Sequence, residues 1–418
     1  MNSLSLSKII ANLRTATGEL RQDGRGWILV TVSAGWFLSR GVRYIYPALL
    51  PFLREAFAMD LTTAGMLLTM IWAAYAVGQF PGGIFSDRMG ERSTLVFSTA
   101  VATFALLVVA ASNSVWTLFL GAFAFGLATS LFGPARFTIF TRLYPERAGT
   151  AIGITMAAGN IGGTLLPPVA GVLASYVTWR LGFGFVIPLF LGVTLALWLA
   201  IPGRASGSNH SSVSLSLGTV RDVVRESMRG NVPIITLIQV VSAFAGEGFL
   251  SFYPLYLVEV KGLSPSIAAT IFAFYFAFAV IVQPLAGMSR DRFGPRVSLM
   301  TLLGGFFLGL ILLQFATHTA YLIPITALIS IKEGAGVISN TYIADALPDN
   351  LKNAGLGLLR TGWVLIAALS PMAVGALADH GYFKESYLFL ALLAGIGAVL
   401  TFFILDYTAI ESRGTMRT

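Results

Sequence analysis

The chain has 418 residues, of which 56% are hydrophobic and only 11% charged, and its formal net charge is +8. A soluble domain carries roughly a quarter charged residues, so this balance excludes a chain that covers its surface with polar groups and makes lipid its natural solvent. There is no cysteine, and the three histidines (His210, His318, His380) fall in predicted loops, which excludes disulfide and thiolate chemistry and leaves no ligand set for a metal or another cofactor.

The N-terminal segment 1–26 has no apolar run long enough for the core of a signal peptide. A helix needs about 20 apolar residues to cross the hydrocarbon core. Read that way, the chain offers twelve spans, near 27–53, 63–85, 94–111, 116–141, 150–175, 182–201, 233–257, 266–287, 297–315, 320–344, 354–378 and 386–406. Residues 27–201 then form one six-helix bundle and 233–406 a second. The longest polar interruption, 202–232, lies between them, and a polar tail, 407–418, follows. The end of the interruption has an apolar face of Val220, Val223, Val224 and Met228, and Arg221, Arg225 and Arg229 form a stripe at i, i+4, i+8. This pattern predicts an amphipathic helix lying on the anionic inner leaflet, with a partner-binding helix as the alternative.

Lys and Arg fix the expected orientation. With the N-terminus inside, the inside segments hold eighteen of the 27 basic residues, and the outside loops hold four: Arg54, Arg180, Lys261 and Lys384. Basic residues stay on the cytoplasmic side, which predicts a multi-pass inner-membrane protein with both termini in the cytoplasm. The same rule accounts for the net charge without nucleic acid. The expected partners are the bilayer and a small solute.

The halves repeat each other at a constant offset of 204 residues. Gln79 meets Gln283, and Gly83, Asp87, Arg88, Gly90 and Arg92 meet Gly287, Asp291, Arg292, Gly294 and Arg296. Gly153, Pro167 and Gly171 meet Gly357, Pro371 and Gly375. Composition bias explains some shared glycines, but not Asp-Arg-x-Gly-x-Arg twice. Two such halves predict two bundles with a pathway between them.

The doubled segment, GGIFSDRMGER and GMSRDRFGPR, resembles the cytoplasmic-loop signature of the major facilitator superfamily, and the resemblance covers about residues 27–406. It implies an all-α membrane fold of twelve helices in two pseudo-symmetric bundles, a monomer, and secondary transport by alternating access. In the family this loop is a cytoplasmic latch. By resemblance, Asp87 would face the start of span eleven, whose dipole favours a negative charge, and pair with Arg142 at the end of span four. The first glycine of each copy would let helices approach closely. Two further signatures depart from the family's antiporters. Span five carries GNIGGTLLPPVAG, with Gly163, Pro168 and Gly171 in place but Pro167 where glycine is expected. The span-four arginine of many proton-linked members falls at Gly121 or Ala122.

Ionisable residues at mid-bilayer cost about 2.5–3.5 kcal/mol on insertion scales, so each needs a reason. Arg40 and Arg43 lie in span one, and their i, i+3 spacing puts both on one face. Glu247, in span seven, is the repeat mate of Arg43. Lys332 and Glu333 sit midway along span ten, and Arg136 lies within span four. Spans one, four, seven and ten line the central cavity in the resembled family, and only Arg360, read as snorkelling near the inner surface, falls elsewhere.

These charges sum to plus four and minus two, which predicts a cavity suited to an anion held by Arg40, Arg43, Arg136 and Lys332. The alternative is mutual neutralisation, with Arg43 on Glu247 and Lys332 or Glu333 in another pair. Glu247 or Glu333 is the expected proton carrier in a coupled cycle. Tyr44, Tyr75, Asn160, Tyr275, Asn340 and Trp363 are pocket candidates, beside Trp72 and Tyr253. The function expected is therefore secondary transport of a small organic anion, with protons as a coupling ion. The rivals are export of amphipathic drugs, a transporter-like sensor and a membrane enzyme. The last lacks any nucleophile–base pair, and no ATP-binding P-loop occurs.

Overall fold

Inside a bilayer, backbone N–H and C=O groups find no water, so a spanning chain must satisfy them within its own helices. The computed structural model follows that demand. It describes residues 25–202, 217–348 and 351–404, and among them there is no strand. The segments 1–24, 203–216 and 405–418 lie outside the described residues, and with them most of the expected N-terminal segment, most of the polar interruption and the tail.

Span one is the 33-residue helix Arg25–Phe57. Spans two and three are one helical run, Leu61–Ala110, broken at Gly90 (φ 80°, ψ 158°). Spans eight and nine are another, Pro265–Phe315, broken at Gly294 (φ 78°, ψ 167°). The two breaks stand 204 residues apart and share one backbone conformation, so the repeat read from identities is also a repeat of geometry. Only glycine enters this region without strain, which is why each copy of the motif places glycine there.

The other spans follow the expected order. Span four is Val115–Leu143 and span five Ala148–Tyr176. Span six is interrupted, as Trp179–Gly184 and Ile187–Ala200. Span seven is Val232–Glu259. Span ten is Thr319–Ser330 and Glu333–Ala346, and span eleven Lys352–Ala368 and Ser370–Asp379. Span twelve is Phe383–Leu400, followed by a 3-10 turn at Thr401–Phe403. Among the described residues, ten helical stretches are long and apolar enough to cross a membrane. One of these, Pro265–Phe315, holds two spans, and span one completes the twelve.

The chain divides into two compact units. The first comprises Met1–Met59, Met70–Ser211 and Ser264–Ala273. Its apolar core is built on Val32, Trp36, Phe132, Ile139, Phe140 and Leu197. Spans one and five pack backbone to backbone in it. A Cβ on Gly41 would stand 2.7 Å from the Gly162 carbonyl, and one on Gly162 would strike the carbonyl oxygen of Phe37. The glycine run of span five thus serves close approach to span one, the usual use of small residues between membrane helices.

The second unit comprises Asp60–Thr69, Ser212–Leu263 and Phe274–Thr418. Its core is built on Ile235, Ile238, Leu299, Leu303, Ile338 and Ile343. The opening of span two is capped there. The Asp379 carboxylate accepts hydrogen bonds from the N–H groups of Leu61 and Thr62, each at 2.7 Å, and Asp60 accepts from Thr63 N–H at 2.7 Å. First-turn N–H groups have no partner within their helix, so carboxylates suit them both as acceptors and by charge. The amphipathic segment is helical over Leu217–Ser227. Val223 is buried in the protein, and Val224 and Met228 are exposed.

Apolar side chains remain exposed along the helices, among them Phe104, Leu120 and Leu199, and Trp27, Trp116 and Tyr176 stand exposed near helix ends. In water such a surface would be unstable. In a bilayer it is the lipid-facing surface, with the aromatic residues at its borders.

Candidate functional site

The first unit gathers the span-one arginines with aromatic and hydroxyl groups. Arg43 is buried, at 4% exposure. Its guanidinium carbon lies 3.8 Å from the centroid of the Tyr75 ring and 4.9 Å from that of Trp72. The two rings meet edge to face, with centroids 5.9 Å apart. Arg43 Nη2 donates to Thr129 Oγ1 at 3.3 Å, and Arg43 makes no ion pair among the described residues. Helix spacing explains the construction. Trp72 and Tyr75 are i, i+3 on span two, so both rings point the same way. Thr129 in turn bonds back to the Phe125 carbonyl at 2.9 Å, which fixes its oxygen as an acceptor for the guanidinium.

Arg40 stands one turn earlier and is half-buried. Its guanidinium carbon is 5.9 Å from the Tyr44 ring. Its stem lies against Gly159, where a Cβ would stand 3.0 Å from Arg40 Cδ. Asn160, the next residue of span five, is fully buried. Two cations thus share one face of span one among Tyr44, Trp72, Tyr75 and Thr129. Arg136 is held differently. It is wholly buried, with its guanidinium carbon 3.8 Å from the Trp36 ring and 4.6 Å from that of Phe137, and Nη2 lies 3.6 Å from Met156 Sδ.

The second unit carries the other charges. Span ten loses regular α-helical bonding at Ile331 and Lys332, whose N–H groups bond three residues back, to Leu328 and Ile329. Lys332 Nζ lies 3.5 Å from Glu333 Oε1, and the Tyr275 hydroxyl donates to that oxygen at 2.8 Å. The ammonium end of Lys332 runs over Gly246, where any Cβ would collide with it. Glu247, the next residue, is half-buried. Discontinuous helices recur at transporter binding sites because freed backbone groups and charges are tolerated only where protein or water receives them. The remaining pocket candidates stand apart from this cluster. Trp363 belongs to the apolar core with Ile235 and Ile338, and Asn340 is exposed, with its amide on the Gly336 carbonyl at 2.7 Å. Tyr253 bonds Thr326 at 2.6 Å.

The motif turns are tied down inside each unit. Arg142 pairs with Glu91 at 3.3 Å, and Glu91 is buried. The side chain of Asp87, the partner expected for Arg142, is outside the described residues. In the second unit Arg290 pairs with Asp345 at 2.7 Å. Arg88, Asp291 and Arg292 are exposed. Gly83 and Gly287, read as close-contact glycines, have open space where a Cβ would stand. Arg92 lies over the Trp198 ring at 5.4 Å and Arg296 over the Phe402 ring at 5.6 Å. Trp198 and Phe402 are also 204 residues apart, so this contact repeats too.

Sequence reasoning missed Thr129, Trp36 and Glu91. Thr129 and Glu91 look like ordinary helix residues until spans two, three and four are brought together. Trp36 had a signal, since an apolar ring within a charged span is a natural face for a cation.

The sequence profile described as Major Facilitator Superfamily matches residues 32–269 and 235–416. The chain belongs to this superfamily. Its members are secondary transporters rather than enzymes, and so is this chain. Among curated relatives, a probable sulfoacetate transporter of Cupriavidus necator is 24% identical over 387 residues, covering 87% of this chain and 89% of the relative. A probable galactarate/D-glucarate transporter of Escherichia coli is 21% identical, covering 93% of this chain and 94% of the relative. A multidrug resistance protein of Salmonella arizonae is 31% identical, but over 161 residues, 37% of this chain and 40% of the relative. Among solved structures, a bacterial homolog of the human lysosomal transporter Spinster, in an inward-facing and unoccupied conformation, superposes with a TM-score of 0.77 at 17% identity. That match covers 92% of this chain and 97% of the other, and it bears on the fold alone.

Proposed function

We propose that this superfamily member carries a small organic anion across the cell membrane by alternating access, with both termini in the cytoplasm and with Arg43 and Arg40 as the anion's ligands. The observation that carries this reading is Arg43. It is a buried guanidinium without an ion pair among the described residues, braced by two rings and the Thr129 hydroxyl. A buried cation with no counter-charge is costly unless something compensates it. Ring faces supply part of that compensation. A carboxylate or sulfonate would supply the rest, since the planar guanidinium fork matches such groups through charge-assisted hydrogen bonds. The cargoes named for the two full-length relatives, sulfoacetate and galactarate or D-glucarate, are anions.

In this reading Arg136 contributes positive potential from within the first unit's core, and Lys332 is the candidate anion ligand of the second unit. Glu333, held by Tyr275 and Lys332, and Glu247 are the candidate proton carriers. A proton taken up by Glu333 would weaken its hold on Lys332 and free the ammonium to bind an anion. Binding of one ligand would then favour binding of the other, which is the requirement for coupling. Drug export is the second reading, favoured by the partial match to a multidrug resistance protein. It is weakened by the packing role of the span-five glycines and by the cationic character of the first unit.

The test is uptake into proteoliposomes with a panel of labelled sulfonates, dicarboxylates and cationic dyes, with and without a pH gradient. Uptake of one anion class, with competition inside that class, supports the reading. Movement of dyes alone would replace it with drug export.

A further inference from the structure

The first unit has a cavity away from the arginines of span one. Its volume is about 670 Å3, and it lies where the Gly90 turn enters span three. Arg92 and Arg142 line it, together with the exposed rings of Phe97 and Trp198 and the apolar side chains of Val96 and Ala100. Arg92 rests over the Trp198 ring and makes no ion pair among the described residues, whereas Arg142 shares its charge with the buried Glu91. Cations therefore stand at one end of a wall that continues along span three as lipid-facing apolar surface.

We propose that this cavity binds an anionic phospholipid, with the phosphate on Arg92 and Arg142 and an acyl chain along Val96, Phe97 and Ala100. Charge complementarity selects the occupant. A guanidinium held against an aromatic ring at a helix end suits a headgroup phosphate, and basic pockets between membrane helices suit anionic lipids. The apolar wall has no use for a free phosphate ion. The repeat sharpens the argument. In the second unit Arg296 over Phe402 reproduces the Arg92–Trp198 contact, but Ala346 stands at the position of Arg142 and Pro295 at that of Glu91. The guanidinium–ring pair is thus common to both units, and the second cation belongs to the first alone.

The experiment is native mass spectrometry of the full chain, delipidated in detergent and titrated with dioleoyl phosphatidylglycerol or dioleoyl phosphatidylcholine, each with and without excess inorganic phosphate. The expected result is one phosphatidylglycerol retained in preference to phosphatidylcholine and not displaced by inorganic phosphate. Arg92→Gln and Arg142→Gln should each reduce the retention about fivefold, and Arg296→Gln should leave it unchanged. Equal retention of both lipids, displacement by inorganic phosphate, or undiminished retention in Arg92→Gln would overturn the proposal. If Arg92→Gln does not elute as a single species, Trp198→Ala takes its place, and unchanged retention there has the same force.

Discussion

The guanidinium carbon of Arg43 lies 3.8 Å from the centroid of the Tyr75 ring, which joins a buried charge on span one to an aromatic face on span two. If the ring face holds the charge ready for an anion, the face matters more than the hydroxyl. Tyr75→Phe, which keeps the ring face, should weaken transport less than Tyr75→Leu. Tyr75→Leu should raise KM for the anion about 2- to 30-fold, the equivalent of about 0.5–2 kcal/mol for one cation–ring contact. Concentration-dependent uptake by the two variants checks this, and equal KM values would refute it.

Two glycines at helix contacts should respond in opposite ways to one added methyl group. At Gly246 the obstacle is the mobile end of Lys332, so Gly246→Ala should displace the ammonium, alter anion uptake and leave thermal stability nearly unchanged. At Gly162 the obstacle is the backbone carbonyl of Phe37, which cannot yield without parting spans one and five. Gly162→Ala should cost about 1–3 kcal/mol or more, the range for overpacked cores, and lower the melting temperature. A melting scan beside an uptake assay separates the two.

Gly294 tests the turn alone. Its Cβ would meet open space, but its φ is 78°. Gly294→Ala should therefore destabilise by about 1–3 kcal/mol through backbone strain. Gly287→Ala, also in open space but helical, should be neutral or slightly stabilising. Thermal unfolding in one detergent gives both values, and equal effects would remove the conformational explanation.

Proton coupling through span ten predicts that Glu333→Gln flattens the pH dependence of anion uptake while leaving counterflow exchange active, because exchange needs no net proton movement. Tyr275→Phe removes the hydrogen bond to Glu333 at 2.8 Å and should change the pH profile without abolishing it. An unaltered pH profile in Glu333→Gln would exclude that residue as the proton carrier and leave Glu247→Gln as the next variant to measure.

Much of the architecture was legible because lipid imposes strict rules on a chain. Span length, the glycine turns at Gly90 and Gly294, and the unusual position of Arg40 and Arg43 in an apolar helix all follow from solvent and sterics. What one dimension hides is which faces meet. Thr129 is one hydroxyl among many until span four is brought to Arg43. Trp363 reads as a pocket residue or, more readily, as helix packing, and it stands in the apolar core with Ile235 and Ile338. The motif pairs Arg142 with Asp87, whose side chain lies outside the described residues, and the ion pair seen among those residues is with Glu91, four residues further along. Charge in a helix can be read from sequence, but its partner depends on helix rotation, which sequence periodicity fixes only loosely.

In the proposed function Arg43 is a cargo ligand rather than a packing cation. The most direct measurement is counterflow of the transported anion in proteoliposomes by wild type, Arg43→Lys and Arg43→Gln, each matched for folded protein by size exclusion. Arg43→Gln should lose exchange by about tenfold or more, as expected for a lost charge-assisted hydrogen bond, and Arg43→Lys should keep part of it at a raised KM. Exchange by Arg43→Gln with the wild-type KM and rate would exclude Arg43 as a cargo ligand.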